Sequence, residues 1–275
     1  MNLLSIVWNV DPEIFRIGGF ALRYYSILFL SGFVLGYFIF KGFYRREHLP
    51  IAQLDNLFFV SFIAALIGAR LGHVIGYDLR YYLAHPWEIL MTWKGGLASH
   101  GGAVGLLIGL WWYVQRYGRK YGINYMWLLD RFIIPVTFAG ALIRCGNLMN
   151  SEIYGDVTTL PWGFVFVRAN EVLPKHPTQL YEALAYVLLG IALMWLYRHR
   201  LEKLRQGSLF GIFLTFLFGA RFLIEFIKEP QSNFEVGMTL NMGQWLSVPF
   251  IVAGIAIWIW SVKRGKPARL PARKK

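Results

Sequence analysis

Arg144-Cys-Gly-Asn-Leu-Met-Asn-Ser-Glu-Ile-Tyr-Gly155 closes an apolar run that begins at Met126. It places Arg144, Asn147, Asn150 and Glu152 where a membrane-crossing helix of about twenty residues leaves the lipid. Ionisable groups at that depth are costly, so Arg144 needs partners or a bound anion. A plainer reading exists: a helix end whose arginine reaches up to the headgroups. It weakens because the other apolar runs carry polar groups at the same end.

The whole composition supports a membrane chain. Of 275 residues, 56% are hydrophobic and only 16% are charged, against roughly 25% charged in soluble domains. The apolar residues come in runs of bilayer length rather than as amphipathic stripes. The sequence therefore reads as one integral domain, an all-α polytopic bundle of about seven transmembrane helices. The expected spans are 21–40, 57–77, 97–114, 127–148, 179–197, 209–227 and 245–262. A small extracytoplasmic loop, 151–177, separates spans four and five, and it mixes Gly, Pro, Thr and aromatic residues as a short hairpin or re-entrant piece does.

The net charge of +13 does not point to nucleic acid, because the cations form no folded basic face. They lie in Lys41-Gly-Phe-Tyr-Arg-Arg46, Arg116-Tyr-Gly-Arg-Lys120, Arg198-His-Arg-Leu-Glu-Lys-Leu-Arg205 and a basic tail over 263–275. With seven crossings all four fall on one side, while the opposite loops hold only Arg80, Lys94, Arg168, Lys175 and Lys228. The positive-inside rule then sets the C-terminus in the cytoplasm and the N-terminus outside. The start lacks a basic n-region, so the first span is expected to stay in place. The single cysteine, Cys145, excludes an internal disulfide and a thiolate metal cluster, and reads as a small buried hydrophobe.

In that orientation the polar residues sort by depth. Arg23-Tyr-Tyr25 opens the first span; Arg70 and His73 end the second; Gly95-Gly-Leu-Ala-Ser-His-Gly-Gly102 starts the third. His176-Pro-Thr-Gln-Leu-Tyr-Glu182 begins the fifth, Arg221-Phe-Leu-Ile-Glu225 ends the sixth, and Gly243-Gln-Trp245 begins the seventh. The cytoplasmic halves are plain, as in Leu188-Leu-Gly-Ile-Ala-Leu-Met194. Scattered structural residues would not sort this way, whereas a shared cavity would. Arg144 and Asn147 share a helix face, as do Arg221 and Glu225. The glycines around His100 suit close approach of a backbone or ligand, and equally suit close helix packing in lipid.

Taken singly, each residue also has a plain role. His100 divides evenly between a structural histidine and a base. Arg70 more readily pairs with a carboxylate or carbonyl, and Arg221 with Glu225 can be a structural ion pair. Tyr25 and Tyr181 suit the interfacial aromatic belt. Arg144 has only Glu152 as an evident partner, which favours an anionic ligand. No zinc helix motif, phosphate-binding glycine loop or Gly-x-Ser-x-Gly elbow is present, and neither metal nor cofactor is expected. Arginine's planar fork suits phosphate oxygens, so an anionic phospholipid headgroup is the natural guest.

These residues resemble the prolipoprotein diacylglyceryl transferases of the bacterial inner membrane. The family pattern Gly-Arg-x-Gly-Asn-Phe-x-Asn-x-Glu appears as Ile143-Arg-Cys-Gly-Asn-Leu-Met-Asn-Ser-Glu152. Ala69-Arg-Leu-Gly72, the His100-Gly-Gly102 block, His176-Pro-Thr-Gln-Leu-Tyr-Glu182, Arg221-Phe-Leu-Ile-Glu-Phe226 and Met242-Gly-Gln-Trp-Leu-Ser247 match in family order across nearly the whole chain. Ile143, Cys145 and Leu148 depart from the pattern but leave Arg144, Gly146, Asn147, Asn150 and Glu152 in place.

The resemblance implies transfer of a diacylglyceryl group from phosphatidylglycerol to the lipobox cysteine of a prolipoprotein signal peptide, the first step of bacterial lipoprotein maturation. A thioether forms and glycerol phosphate leaves; the partners are these two substrates and membrane lipids. It implies phospholipid binding by Arg144, Asn147, Glu152 and Gly155. Catalysis falls to His100 as candidate base, Arg221 oriented by Glu225, and Tyr25 lining the site. Arg70, Gly101, Gly146, Asn150, Gln179, Tyr181 and Gln244 support them. A carboxylate or the ligand itself stays open as the base. On residues alone, an anionic-lipid transporter, a scaffold or another phospholipid-modifying transferase are the competing readings. The plain cytoplasmic halves and the absence of inverted symmetry count against transport.

Overall fold

The computed structural model describes residues 5–92, 95–230 and 237–269. Backbone in lipid has no water to bond with, so long apolar runs close their hydrogen bonds internally as helices. These are α1 (Tyr24–Arg46), α2 (Ile51–Tyr77), α3 (Leu79–Ala84), α4 (Ser99–Tyr113), α5 (Tyr125–Met149), α6 (Thr178–Arg200), α7 (Ser208–Ile224) and α8 (Met242–Arg264). Six of them, all but α3 and α4, are long and apolar enough to cross a membrane. The protein is an all-α, multi-pass membrane protein. Several helices overrun the apolar cores read from sequence. α1, α6 and α8 continue into Arg45 and Arg46, Arg198 to Arg200, and Lys263 and Arg264, where cations complement the negative end of the helix dipole.

The expected third span differs from the other six. α4 has 15 residues, about 22 Å of helix, against a hydrocarbon core of about 30 Å. Gly95 and Gly96 precede it at φ 89° and 72°, a left-handed conformation that stops the helix from starting sooner. Beyond Tyr113 the backbone first loosens into a π-helical segment, Val114–Gly118, and then tightens into a 3-10 turn, Arg119–Tyr121. Lys94, one of the opposite-side cations, lies outside the described residues.

The chain divides into two compact units. One takes the chain up to Ile39 and from Leu129 to Arg269; the other runs from Phe40 to Leu128. In the second unit α2 and α4 meet along a glycine seam. A Cβ on Gly72 would stand 2.6 Å from the Gly101 Cα, and one on Gly105 would stand 2.7 Å from the Gly68 Cα. Small residues let helix backbones approach in lipid, where no hydrophobic drive joins them.

The first unit carries four short strands. β1 (Ile6–Trp8) pairs in parallel with β4 (Phe164–Phe166), and β2 (Glu13–Ile17) forms an antiparallel hairpin with β3 (Phe20–Arg23). The 151–177 loop is thus fastened to the N-terminal segment, and it also folds on itself through antiparallel bridges of Lys175 with Val157 and Phe164. Trp8 Nε1 donates to the Leu148 carbonyl at 3.0 Å, and Leu148, Phe164 and Phe166 make a buried cluster beneath. Lys175 is buried in this loop, between Glu229 and Glu171 at 3.4 Å from the latter. Burial alone lowers its pKa, but the two carboxylates outweigh that and raise it.

At the other end of α5, Asp130 is fully buried and accepts from the Gly207 and Phe210 amides at 2.7 and 2.9 Å, capping α7. Arg131 donates to the Ala268 carbonyl at 2.8 Å. Residues 265–269 fold back along 204–206, with Gln206 and Ala268 amides bonded to Lys266 and Leu204 carbonyls. The tail expected over 263–275 therefore begins as the last turn of α8 and a docked strand; 270–275 lie outside the described residues.

The glycine seam is testable. Gly68→Val must push two backbones apart and should destabilise the protein by about 1–3 kcal/mol, typical of overpacking. Gly42→Ala, on α1 with nothing within 4 Å of the added methyl, should be neutral or stabilising by up to about 1 kcal/mol through helix propensity. Thermal unfolding in detergent checks both; equal melting temperatures for the two variants would contradict the seam.

Candidate active site

The last turn of α5 runs into a tight bend. Asn150, Ser151 and Glu152 amides bond back to Gly146, Leu148 and Asn147 carbonyls at 3.0–3.1 Å. Ser151 and Ile153 take φ of 54° and 63°. A β-branched residue in that region is strained, and its surroundings must hold it there. They do: the Thr178 hydroxyl donates to the Ile153 carbonyl at 2.9 Å, and Gln179 Nε2 donates to the Glu152 carbonyl at 2.7 Å. The first turn of α6 thus clamps the bend.

Side chains converge on it. Arg144 Nη1 donates to Asn147 Oδ1 at 3.2 Å, and Asn147 and Asn150 donate to Glu152 Oε1 at 2.8 and 3.1 Å. Gly146 leaves room for the Tyr25 ring; a Cβ there would meet Tyr25 Cδ2 at 2.7 Å. Tyr25, Arg144, Gly146, Asn147, Asn150, Glu152 and Gln179 therefore form one constellation. Buried acceptors on Asn150 (Oδ1) and Gln179 (Oε1), with the Ser151 hydroxyl, have no protein partner. Such groups mark room for water or a ligand.

The ion pairing differs from the sequence expectation in two places. Glu152 is not the partner of Arg144. That role belongs to Glu182, which ion-pairs with Arg144 Nε and is 1% exposed. The Tyr186 hydroxyl is hydrogen-bonded to the same guanidinium. Nor does Glu225 pair with Arg221. α7 gives way at Glu225 to a 3-10 turn, Glu225–Ile227, but the Glu225 amide still bonds to the Arg221 carbonyl, so the two residues stay one helical turn apart. Glu225 instead faces Lys228 at 3.4 Å, and Lys228 also reaches Glu182 at 3.3 Å. Arg221 makes no ion pair or hydrogen bond with a described residue, and lies within electrostatic reach of Tyr186.

Other expected residues take positions around this centre. At Gly155 a Cβ would stand 2.7 Å from Thr178 Cγ2, and its amide bonds to the His176 carbonyl at 2.8 Å, so it lets the loop cross residues 227–228 closely. Gln244 and Asn241 form a capping box at the start of α8, and Asn241 Nδ2 donates to the Glu225 carbonyl at 3.2 Å. The Tyr181 hydroxyl accepts from Trp162 Nε1 at 2.9 Å.

In the second unit, Arg70 spends its donors on carbonyls: Ile89 at 2.8 Å, Gly95 at 2.7 Å, Gly96 at 3.0 Å, and Glu88. The Tyr82 ring lies 4.9 Å from its guanidinium carbon. Arg70 thereby organises the segment leading into α4. His100, in the first turn of α4, is exposed and stands beside Tyr77. It lines one end of an apolar groove of about 940 Å³ with Ile67, Leu71, Ile75, Val104 and Ile108. Gly101 belongs to the glycine seam.

Glu182, Tyr186 and Lys228 are the site residues that sequence reasoning missed. Glu182 and Tyr186 are four apart on α6, a spacing that puts both on one helix face. A buried arginine's need for a carboxylate was the other available signal.

The profile of the family described as "Prolipoprotein diacylglyceryl transferase" matches residues 12–260. Three relatives carry the name phosphatidylglycerol–prolipoprotein diacylglyceryl transferase. One from Tolumonas auensis is 46% identical, covering 94% of this chain and 98% of its own length. One from Bacteroides fragilis is 45% identical, covering 92% and 94%. One from Chloroherpeton thalassium is 39% identical, covering 95% and 96%.

The clamp on the bend yields a prediction. Thr178→Val keeps the shape of a fully buried residue but leaves the Ile153 carbonyl without its donor, which should cost about 1–3 kcal/mol. Chemical or thermal unfolding in detergent measures it; unchanged stability would mean the hydroxyl does not hold the bend.

Proposed function

The chain belongs to the prolipoprotein diacylglyceryl transferase family, and from that premise we propose that it moves a diacylglyceryl group from phosphatidylglycerol to the lipobox cysteine of a prolipoprotein. The thiolate sulfur attacks the glycerol carbon that bears the phosphodiester oxygen. The C–S bond forms as the C–O bond breaks, and the electron pair leaves with glycerol phosphate. Two demands follow. The thiol, with an ordinary pKa of about 8.5, must lose its proton to a base. The leaving phosphate must meet preorganised positive charge.

The observation that carries this reading is the difference between the two arginines of the first unit. Arg144 is fixed at its Nε side by Glu182 and at Nη1 by Asn147, which supports a role in orienting the phospholipid headgroup with Asn147 and Glu152. Arg221 is uncommitted to any described partner, which suits a cation that meets charge as it develops on the phosphate. Tyr25 lines the same bend. Gly155 and Gln244 act through the backbone turns they shape. His100 is assigned the proton on its chemistry and on the family pattern.

The same reading places the protein in the bacterial inner membrane, with the N-terminus outside and the C-terminus in the cytoplasm. The basic helix ends of α1, α6 and α8 and the basic segment after α4 then face the cytoplasm, in line with the positive-inside rule. The bend after Met149 and the 151–177 loop face outward, where a translocated signal peptide presents its cysteine.

Purified protein in phosphatidylglycerol liposomes with a lipobox peptide tests the reaction by peptide mass. A diacylglyceryl mass gain is expected, absent when the peptide cysteine is serine and lowered at least 100-fold by Arg221→Ala, in line with loss of one transition-state donor. No gain with folded protein and both substrates bound would overturn the transferase reading. His100→Asn should lower turnover about 100-fold or more if it is the base; near-normal turnover would move that role to another group.

A further inference from the structure

Two cations and two carboxylates alternate through the core of the site: Arg144, Glu182, Lys228 and Glu225. Glu182 stands at the middle. Its carboxylate ion-pairs with Arg144 Nε through one oxygen and meets Lys228 Nζ at 3.3 Å through the other. Side-chain exposure is 13% for Arg144, 1% for Glu182, 1% for Lys228 and 8% for Glu225. Both outer members are themselves held. Arg144 bonds Asn147 at 3.2 Å, and Lys228 meets Glu225 at 3.4 Å. The Glu225 carbonyl is tied to Asn241 at 3.2 Å, so the row is anchored at the start of α8.

We propose that Glu182 is the positioning carboxylate of this site: braced from behind by Lys228, it sets the plane of the Arg144 guanidinium and so aims its remaining N–H groups at the phospholipid phosphate. The proposal rests on the assignment of Arg144 to the phospholipid. Three features support a positioning role over simple charge balance. The contact is an ion pair at Nε, the guanidinium nitrogen nearest the stem, so the charge of Glu182 holds the group at its root although Glu182 Oε2 accepts no hydrogen bond. Tyr186, one turn further along α6 from Glu182, holds the same guanidinium, so α6 grips it twice. Lys228 supplies a second counter-charge to a carboxylate that is almost closed off from solvent, where an unpaired charge is costly.

The sign of the effect separates the two roles. Removing a negative charge leaves the row with a net positive charge, which on Coulomb grounds alone attracts an anionic lipid more strongly. A positioning role predicts the reverse, because Lys228 then repels Arg144 and nothing fixes Nε. In Glu182→Gln/Lys228→Gln that repulsion is gone, and the amide oxygen offers Nε an acceptor in place of the carboxylate.

Two readouts on the full-length protein test this: phosphatidylglycerol retained in detergent, counted by native mass spectrometry, and lipidation of a lipobox peptide across a phosphatidylglycerol series. Glu182→Gln should lose at least fivefold in lipid retention and raise the KM for phosphatidylglycerol at least tenfold, with kcat changed less than KM. The double variant should recover at least a third of both losses, and Glu182→Gln should keep its gel-filtration profile. Retention equal to or above the parent's in Glu182→Gln overturns the proposal, as does a double variant in which the two losses multiply. Should Glu182→Gln fail to fold, the double variant against Lys228→Gln alone decides in the same way: lower retention in the double than in Lys228→Gln is expected, and equal retention overturns it. Lipid retention does not depend on turnover. A parent that holds phosphatidylglycerol but never lipidates the peptide defeats the transferase reading alone, and the retention comparison still decides the role of Glu182.

Discussion

A carboxylate with 1% of its side chain exposed, in a protein immersed in hydrocarbon, constrains everything near it. Arg144 and Lys228 flank Glu182, and each of those is bound again on its far side. The requirement couples three places in the chain: the end of α5, the start of α6 and the turn after α7. It also accounts for the loop architecture around them. The bend at 150–153 needs α6 to hold its strained backbone, and residues 227–228 pair with the Gly155–Asp156 backbone directly above the charged row.

The chemistry follows from what the row leaves over. A guanidinium bonded on two sides is a fixed donor plane, suited to recognising a group already charged in the ground state. One without protein partners can respond to charge that appears only as a bond breaks. Arg144 and Arg221 divide along this line, and the division comes from which carboxylate each meets rather than from residue type. The 3-10 turn after α7 brings Lys228 to 3.4 Å from the Glu225 carboxylate, which pairs there and not with Arg221.

Much of the fold was legible because lipid enforces a simple rule: apolar runs of about twenty residues must be helices. Runs 21–40, 57–77, 127–148, 179–197, 209–227 and 245–262 all appear as helices of spanning length. Run 97–114 holds α4, and hydropathy does not register that Gly95 and Gly96 adopt a left-handed backbone ahead of it. The parallel pairing of Ile6–Trp8 with Phe164–Phe166 was invisible, because three-residue strands far apart in the chain leave no periodic trace. At the site, the polar residues of the α5 end were readable from their depth and spacing, and Asn147, Asn150 and Glu152 do bond one another. The partner of Arg144 was not, because local spacing nominated Glu152 while the fold delivers Glu182 from the next helix. Lys228 read as a loop cation near water; it is buried.

The most direct test of the account is an experimental structure of the protein in a lipid nanodisc with a non-cleavable phosphatidylglycerol analogue bound. The account predicts the phosphate within hydrogen-bonding distance, about 3 Å, of the Arg221 guanidinium and of the outer N–H groups of Arg144, with Arg144 Nε still on Glu182. A phosphate seated on Arg144 Nε with Glu182 displaced, or one that contacts neither arginine, would contradict it.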